Sequence, residues 1–454
     1  MKRDASVRDD ITEGVIWKQI LIFFFPIMIG TFFQQLYNTT DAIIVGKYLG
    51  KEALSAVGGT TGTIINLLVN FFVGLSSGAT VIISQYYGGK KYEDVVDSVY
   101  SALGIAIAGG IIMMVTGMAA APAMLKAMNT PEDIIGYSLK FIRIYFIGMT
   151  ANLIYNVGAG ILRAMGDSKR PLYFLIVSCM VNIVLELLFV AVLGMGISGA
   201  ALATVISQFL SAVLVLLVLK EPDKPYQIQL KKIHIDKVKS KEIFTIGLPA
   251  GIQSVMYSIS NMLIQSCVNS FGTDTVAAWT AYSKIDGLFW MVSGAFGVSI
   301  TTFVGQNYGA GKIERVKKGV TQCLGMFMFV AFALSFILYF SSRYLLLLFT
   351  SDLAVVEIGD RILKFLVPSY FTFVVIEILS GALRGMGNSL FPMIITACGV
   401  CGLRILWIVS VVPFRNTLET VSLSYPVSWA ITSVLFIIYY NYFWRKKRRQ
   451  TVEG

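Results

Sequence analysis

The sequence predicts an all-α polytopic membrane protein with twelve transmembrane helices, arranged as two parallel six-helix repeats with a central cavity. Three observations lead to this fold class: the composition, the spacing of the apolar stretches and an internal repeat. Hydrophobic residues make up 56% of the 454 residues and charged residues only 14%, with a mean hydropathy of +0.72. A soluble globular domain carries about 25% charged residues. The composition therefore excludes a disordered chain, a nucleic-acid-binding module and a typical soluble enzyme.

Apolar stretches follow one another from residue 17 to residue 444. One crossing of the hydrocarbon core takes about 20 apolar residues in a helix, and the chain contains twelve stretches of this kind. The first stretch follows a charged segment, and it is longer than the apolar core of a signal peptide. We therefore interpret it as a retained helix.

The basic residues predict the orientation of these helices. Most of the 37 Lys and Arg residues fall in alternate loops and at the chain ends, including Lys2, Arg3 and Arg8 at the start and the run from Arg445 to Arg449 at the end. In membrane proteins the excess of Lys and Arg marks the cytoplasmic loops. We expect a multi-pass protein of the plasma (inner) membrane with both termini in the cytoplasm. The net charge of +11 then reflects topology, and we expect no nucleic-acid partner.

Two motifs recur at a constant separation of 221 residues. The stretch Gln85-Tyr-Tyr-Gly-Gly-Lys-Lys-Tyr-Glu returns from Gln306 as Gln-Asn-Tyr-Gly-Ala-Gly-Lys-Ile-Glu, and the Leu-Arg-x-Met-Gly-x-Ser motif at Leu162 returns at Leu383. A shared register over this many positions indicates a duplication. Two six-helix halves enter the membrane in the same sense, which is typical of transporters that alternate access to a central site.

The repeat also predicts the domain boundaries. We expect an N-lobe at 1–219, a basic cytoplasmic linker at 220–241 that contains Lys224 and Pro225, and a C-lobe at 242–454. Channels more often assemble from several identical subunits around one pore, whereas this chain carries its own two lobes. The architecture therefore favours a transporter, and we expect it to be monomeric.

Polar residues that occur in only one half are functional candidates, because the duplicated scaffold packs similarly in both halves. On the first helix Gln34, Asn38 and Asp41 are spaced i, i+4 and i+7, so they share one face. The repeat equivalent of Asp41 is Ile264. The first half thus holds an acid that the second half lacks.

The fifth and sixth helices show the same asymmetry. Asn182 and Glu186 are i, i+4 neighbours on the fifth helix, and Thr204 lies on the sixth. Their repeat equivalents are, in order, Leu403, Trp407 and Tyr425.

The two acids of the first half carry no basic partner on their own helices. A carboxylate deep in a membrane costs several kcal/mol unless it is protonated, paired or bound to a metal. If Asp41 and Glu186 face one cavity, the pair can carry a proton. Together with oxygens of Asn182 and Thr204 it can instead hold a hard cation such as Na⁺. The structural alternative is a hydrogen-bonded cluster between helices.

The second half has its own intramembrane charges. Opposite signs on neighbouring helices predict internal ion pairs, which are often structural. The sequence leaves open whether these charges have a structural or a functional role. The four residues that carry them are Lys284, Asp286, Glu377 and Arg404. Glu377 is the repeat equivalent of Asn156, and we carry it forward as a candidate for ion or substrate binding.

Two prolines are candidate hinges. Pro26 in the first helix and Pro249 in the seventh each remove a backbone hydrogen bond in mid-helix. The resulting kink is either static or a point at which the helix bends when a nearby acid changes charge.

Histidine and cysteine chemistry is nearly excluded. His234 is the only histidine, which argues against His-based metal sites and Ser–His or Cys–His catalysis. Among the five cysteines, Cys398 and Cys401 form a single CxxC without further partners, and we interpret them as small residues on a packed helix. We expect no cofactor beyond the coupling ion and no enzymatic activity.

The sequence resembles the multidrug and toxic compound extrusion (MATE) family. The resemblance rests on the segment from Pro26 through Gln34-Gln-Leu-Tyr-Asn-Thr-Thr-Asp41, on the two Gln-x-Tyr-Gly loops and on the paired Leu-Arg-x-Met-Gly-x-Ser motifs, and it covers residues 14–444. It implies a two-lobed exporter driven by H⁺ or Na⁺. It also implies a coupling site at Asp41, Asn182, Glu186 and Thr204, with Asn156 in the same network.

Two features depart from the pattern that the resemblance implies. The acid on the fifth helix is typically Asp in the archaeal members, so the longer Glu186 leaves the choice of ion open. Glu377 lies one turn from the usual acid of the tenth helix, so an ion site in the C-lobe does not carry over. We expect the substrate cavity to be lined by Gln34, Tyr37, Asn38, Asn261 and Glu377.

The expected function is H⁺- or Na⁺-coupled antiport that exports amphiphilic, cationic organic compounds by rocker-switch alternating access. The expected partners are a small organic substrate and the lipid bilayer. The alternative is a lipid-linked saccharide flippase of the same superfamily, but such proteins line the cavity with several basic residues, and here only Lys284 and Arg404 are available. An intramembrane enzyme or sensor is disfavoured, because no nucleophile is paired with a base and no soluble output domain is present.

Overall fold

The computed structural model describes residues 11–222 and 227–453, and over these residues it contains helices and loops but no β-strand. Five basic or proline positions of the sequence analysis lie outside the described residues, namely Lys2, Arg3, Arg8, Lys224 and Pro225.

The described part of the first half folds into seven α-helices: α1 (Ile16–Gly58), α2 (Thr60–Gly88), α3 (Tyr92–Ala127), α4 (Glu132–Ile147), α5 (Met149–Ala164), α6 (Lys169–Glu186) and α7 (Gly196–Leu219). A π-helical segment, Leu187–Val192, continues α6. Helix α1 contains Pro26 and is interrupted at Gly50, whose φ of 86° is unfavourable for any residue with a Cβ.

The second half folds into eight: α8 (Lys237–Asn269), α9 (Thr273–Gly309), α10 (Ile313–Leu347), α11 (Leu353–Leu366), α12 (Tyr370–Gly385), α13 (Leu390–Thr396), α14 (Leu403–Ser410) and α15 (Leu418–Glu453). Short 3₁₀ turns lie at Leu230–Lys232 and Val367–Ser369, and a π-helical segment, Ala397–Gly402, joins α13 to α14. Asp352 caps α11 by accepting a hydrogen bond from the Ala354 N–H at 2.9 Å.

The predicted number of membrane crossings is confirmed. In the described part of the chain, eleven helices or helix runs are long and apolar enough to cross a bilayer, and the pair α4–α5, bent by 49° at Gly148, supplies a twelfth. The outer surface suits hydrocarbon: Phe329, Phe336 and Phe340 lie on one face of α10 and are 75%, 65% and 66% exposed. A soluble protein would not leave such a stripe in water. The chain is therefore an integral membrane protein of the predicted all-α class.

The helix breaks reproduce the sequence repeat. The first residues of α5 and α12 are 221 positions apart in the sequence, and so are their last residues. Left-handed glycines also stand at corresponding breaks, at Gly50 and Gly272 and again at Gly166 and Gly387. The duplication inferred from the loop motifs is thus present in the backbone.

Tertiary contacts divide the chain into two compact units. The first contains Phe25–Gly251, and the second contains Glu13–Phe24 together with the chain from Ile252 onward. The two boundaries fall beside Pro26 and Pro249. The predicted lobes follow the sequence repeat, whereas the contact-based units place the first part of α8 in the first unit and the first part of α1 in the second.

Backbone-to-backbone packing holds the first part of α8 in the first unit. A Cβ added at Gly74 would lie 2.6 Å from the Gly251 Cα, and one added at Gly78 would lie 2.6 Å from the Gly247 nitrogen. Small residues are what allow helices to approach this closely in a membrane. We call these four residues the glycine seam.

Polar contacts reinforce the same packing. Lys239 Nζ lies 2.6 Å from Asp94 Oδ1 and stands 4.0 Å over the ring of Tyr86, and the Tyr86 hydroxyl donates to Glu242 at 2.9 Å. Lys239 is only 8% exposed. Its charge is therefore balanced within the first unit.

The second unit holds the segment Glu13–Phe24 by different means. Arg315 donates to the backbone oxygens of Glu13 and Gly14 at 2.7 and 2.8 Å, and the ring of Phe24 packs 4.2 Å from that of Phe296. Aromatic contact here takes the place of the glycine seam.

Candidate functional site

Three helices of the first unit bring the predicted polar residues together. Asp41 lies on α1, Glu186 is the last residue of α6 and Thr204 lies on α7. Glu186 directly precedes the π-helical segment Leu187–Val192, and π-helical turns are frequent at functional sites. Glu186 is fully buried and Thr204 is 4% exposed.

The carboxyl groups of Asp41 and Glu186 are close enough to interact directly with each other. Within the described residues, no N–H or O–H group donates to Oδ1 of Asp41 or to either oxygen of Glu186. None of the ion pairs in the described part of the chain includes either acid. Two acceptor groups thus face each other, and a hydrogen bond forms between them only when one carries a proton.

Tyr37 forms a second contact across this site. Its hydroxyl donates to Thr204 Oγ1 at 3.1 Å, and the Thr204 hydroxyl donates to the Ala200 carbonyl, also at 3.1 Å. The Tyr37 phenol is also near both acids. This chain of hydroxyl groups ties α1 to α7 beside the carboxyl pair.

Asn182 lies one turn before Glu186 and is fully buried. Neither its Nδ2 nor its Oδ1 has a hydrogen-bond partner among the described residues. A buried amide without partners costs about 1–3 kcal/mol for each group left unsatisfied. The amide and the two carboxyl groups are the oxygen donors that a hard cation prefers.

None of the recorded hydrogen bonds in the described residues joins the other predicted residues of the first half to this pair. Asn156 on α5 donates to the Asn152 carbonyl and Oδ1 at 2.9 and 3.0 Å, so its amide is engaged on its own helix. Gln34 and Asn38 are exposed on α1.

Sequence reasoning missed two residues beside the site. The Tyr145 phenol on α4 is near Gln208 on α7 and near Asp41. Gln208 is one turn after Thr204, so i, i+4 spacing could have found it. Tyr145 had no such signal, since its position follows from the bend at Gly148, where the Gln208 side chain leaves no room for a Cβ.

The equivalent positions of the second unit are apolar or aromatic. Ile264 is fully buried, and the Trp407 indole donates to the Thr420 carbonyl at 2.9 Å. Tyr425 packs against Trp429, with the ring centroids 5.4 Å apart.

The prediction of internal ion pairs in the second half is wrong. In the described part of the chain, none of Lys284, Asp286, Glu377 and Arg404 belongs to an ion pair within 4.0 Å. Asp286 instead accepts from the Tyr370 hydroxyl and, at 2.6 Å, from Trp290 Nε1. Neutral donors satisfy this carboxylate without a countercharge.

Arg404 is also held by neutral groups. Its Nε donates to Ser428 Oγ and its Nη1 to Asn261 Oδ1, both at 3.2 Å, and the guanidinium lies 4.1 Å over the ring of Tyr425. Lys284 is exposed.

Glu377 lies in a second polar group of the same unit, and Tyr257 is near both Glu377 and Arg404. Glu377 packs against Gly297, where it would block an added Cβ, and Arg384 is the nearest cation to it. Arg384 Nη2 reaches Gln253 Oε1 at 3.3 Å, and Gln253 donates to Thr396 at 2.9 Å.

Comparison with known proteins identifies the family. The MatE family model matches residues 26–188 and again residues 249–409, once in each half of the repeat. The chain belongs to the MatE family, that of the multidrug and toxic compound extrusion transporters. The resemblance seen in the loop motifs is therefore confirmed over both halves.

Individual MatE relatives align over most of their length. The chain is 28% identical to the protein named "Probable multidrug resistance protein YoeA" of Bacillus subtilis, over 98% of both chains. It is 25% identical to "Probable multidrug resistance protein NorM" of Thermotoga maritima, over 88% of this chain and 86% of that protein.

Solved structures share the fold. A crystal structure of MATE in the bent conformation aligns with a TM-score of 0.91 at 21% identity, over 99% of this chain and 100% of that one. A MOP superfamily transporter from Pyrococcus furiosus aligns with a TM-score of 0.89 at 21% identity, over 97% and 98%. At this identity the likeness supports the twelve-helix fold alone.

Proposed function

We propose that this MatE family member is a cation-coupled antiporter that exports amphiphilic, cationic organic compounds across the plasma membrane. It exchanges them for H⁺ or Na⁺ and has both termini in the cytoplasm. The observation that carries the proposal is the closeness of Asp41, which is half-buried, to Glu186, which is fully buried, with no ion pair to a basic residue at either acid in the described structure. The names of the relatives, which refer to multidrug resistance, support the export of drugs.

The geometry supports either coupling ion. A proton shared between Asp41 and Glu186 converts the acceptor–acceptor contact into a hydrogen bond. A Na⁺ ion placed there would draw on oxygens of the same two side chains, on the unengaged amide of Asn182 and on the hydroxyl of Thr204. In both cases the bound ion removes the cost of holding two acids side by side inside the membrane.

Ion binding can act on α1, because Asp41 and Pro26 belong to the same helix. The missing backbone hydrogen bond at Pro26 weakens the helix at this point. In the proposed cycle, neutralising the acid pair changes the bend of α1 and favours the inward-facing state of a rocker-switch transporter. Pro249 is the corresponding hinge of α8. This role is transport, and we propose no enzymatic step.

The test is export from proteoliposomes driven separately by a pH gradient and by a Na⁺ gradient. We expect Asp41→Asn to abolish export under whichever gradient drives the wild type, and Glu186→Asp to shift the preference between the two ions. Asp133→Asn, an exposed acid at the start of α4, is the control for the loss of one charge. Undiminished ion-driven export by Asp41→Asn would overturn the proposal.

A further inference from the structure

We infer that Arg404 and Asn261 form a subsite for a carboxylate on the transported compound, so that zwitterionic amphiphiles are the preferred substrates. This inference rests on the proposed export function and adds a substrate class to it. It concerns the second unit only.

The starting point is a buried positive charge without a contacting negative charge. Arg404 is 2% exposed, and in the described part of the chain no carboxylate lies within 4.0 Å of its guanidinium. Its two hydrogen bonds go to neutral oxygens of Ser428 and Asn261, and both are long at 3.2 Å. A guanidinium has five N–H donors, so most of its capacity is unused.

Asp286 is not the partner that Arg404 lacks. Its Oδ1 accepts from the Tyr370 hydroxyl and its Oδ2 accepts from Trp290 Nε1 at 2.6 Å, and the Tyr282 phenol is nearby. The carboxylate oxygens are therefore already engaged by neutral donors. Asp286 contributes a negative field at longer range, which leaves the donors of Arg404 available.

Aromatic rings fix the orientation of the guanidinium. It lies 4.1 Å over the ring of Tyr425 and 5.7 Å from that of Trp429. Cation–π contact of this kind covers the flat face of the group and leaves its edge, where the N–H donors lie, for hydrogen bonds. One edge position, Nη1, points to Asn261, whose side chain is exposed on α8. Asn261 therefore marks the open side of the subsite.

The geometry of the donors selects the ligand. A planar guanidinium edge matches the two oxygens of a carboxylate in a bidentate contact, and such charge-assisted bonds are about twice as strong as neutral ones. A phosphate monoester would bring a second negative charge, whereas the residues that contact the guanidinium, namely Ser428, Asn261 and Tyr425, add no cation to Arg404. A single carboxylate therefore fits the charge of the subsite.

The position within the repeat supports a functional origin for this charge. The equivalent of Arg404 in the first half is Ile183, and the equivalent of Tyr425 is Thr204. The guanidinium thus occurs in one half only, as the acid pair does in the other.

The experiment uses two probes that differ only in the carboxylate: a zwitterionic rhodamine with a free carboxylate, and the methyl ester of the same dye, which is a simple cation. Export of each dye from proteoliposomes gives two KM values for each variant. We expect the wild type to have a KM about tenfold or more lower for the zwitterion, the size of one charge-assisted hydrogen-bonded contact. Arg404→Gln should bring the ratio close to one, whereas Arg404→Lys should keep part of the preference.

Two further variants complete the design. Lys284→Gln removes an exposed cation of the same unit and should leave the ratio of KM values as in the wild type. Asn261→Asp places a carboxylate next to Arg404 within the protein itself. It should also bring the ratio to one and should raise the melting temperature, which keeps the inference testable if Arg404→Gln does not fold.

The outcomes separate the inference from the proposed function. Export of the ester with no wild-type preference for the zwitterion, or an equal change of both KM values in Arg404→Gln, would overturn the carboxylate subsite and leave the antiporter standing. Absence of ion-driven export of either dye would count against both.

Discussion

The two halves of this MatE protein bury opposite charges on corresponding helices of one duplicated fold, at positions that are not repeat equivalents. In the first half α6 and α7 bury the acid Glu186 beside Thr204. In the second half the corresponding helices, α14 and α15, bury the base Arg404 beside Tyr425. The backbone breaks correspond in both halves, at Gly50 with Gly272 and at Gly166 with Gly387. The scaffold thus determines where a buried polar site can be, and the side chains alone determine its charge.

The two sites also differ in how their charge is accommodated. The first unit leaves Asp41 and Glu186 facing each other, and the amide of Asn182 has no partner in the described structure. The second unit surrounds Asp286 with hydrogen-bond donors and Arg404 with aromatic rings. A site that binds and releases an ion needs groups that are not already satisfied, and the first unit has them.

The largest expected effect comes from placing an acid in the second unit. Ile264, the equivalent of Asp41, is fully buried, and Ile264→Asp would add a carboxylate without the partner that Glu186 provides in the first unit. The cost of several kcal/mol should abolish the monodisperse peak on size-exclusion chromatography. Ile264→Leu, a swap that costs less than about 1.5 kcal/mol, is the control. A normally folded Ile264→Asp protein would show that the second unit tolerates an acid as well as the first.

The next effect concerns the acid pair as a unit. Because Asp41 and Glu186 interact directly with each other, Asp41→Asn and Glu186→Gln should each remove most of the ion-driven export. The double variant should be no worse than Asp41→Asn alone, since residues that act together are not additive. Initial export rates of the three variants in proteoliposomes check this. Multiplicative losses would mean that the two acids act at separate sites.

A smaller effect tests the close helix packing at the glycine seam of the first unit, with a glycine of the second unit as the control. Gly78→Ala brings a Cβ to 2.6 Å from the Gly247 nitrogen and should destabilise the protein by about 1–3 kcal/mol, as overpacking does. Gly325→Ala on α10, where nothing lies within 4 Å, should be neutral or stabilising. Melting temperatures in the same detergent compare the two. Equal stability of both variants would contradict the close approach of α2 and α8.

The smallest effect comes from one hydroxyl group. Tyr37→Phe removes the hydrogen bond to Thr204 and should cost about 1 kcal/mol. It should also slow export less than loss of either acid, because the carboxyl pair is retained. Thermal melts and export rates on the same preparation measure both. A loss of export as complete as that of Asp41→Asn would move Tyr37 from a supporting to an essential role.

The fold was predictable from sequence to a large extent, for physical reasons. Apolar length determines how many helices can cross a bilayer, and the 221-residue register of the loops determines that there are two equivalent halves. Both predictions are confirmed by α1 to α15. The two acids could also be identified from the sequence, because helical spacing and the comparison of the two halves singled out Asp41 and Glu186.

Contacts between helices were not predictable in the same way. The prediction of ion pairs in the second half is wrong because the sequence gives the charges but not the distances between them. In the structure Asp286 accepts hydrogen bonds from Tyr370 and Trp290 and forms no ion pair among the described residues. The role of Tyr145 depends on the bend at Gly148, and the glycine seam depends on which helices meet. The π-helical segment after Glu186 has no sequence signature of its own.

The membership of residues 237–251 in the first unit has a consequence for biosynthesis. When α7 has left the ribosome, the first unit still lacks the strip of backbone that covers Gly74 and Gly78. This strip arrives only with the first helix of the second half. A truncated protein that ends at residue 219 should therefore expose a glycine-lined groove in the membrane and be degraded, and co-synthesis of residues 220–454 as a separate chain should protect it.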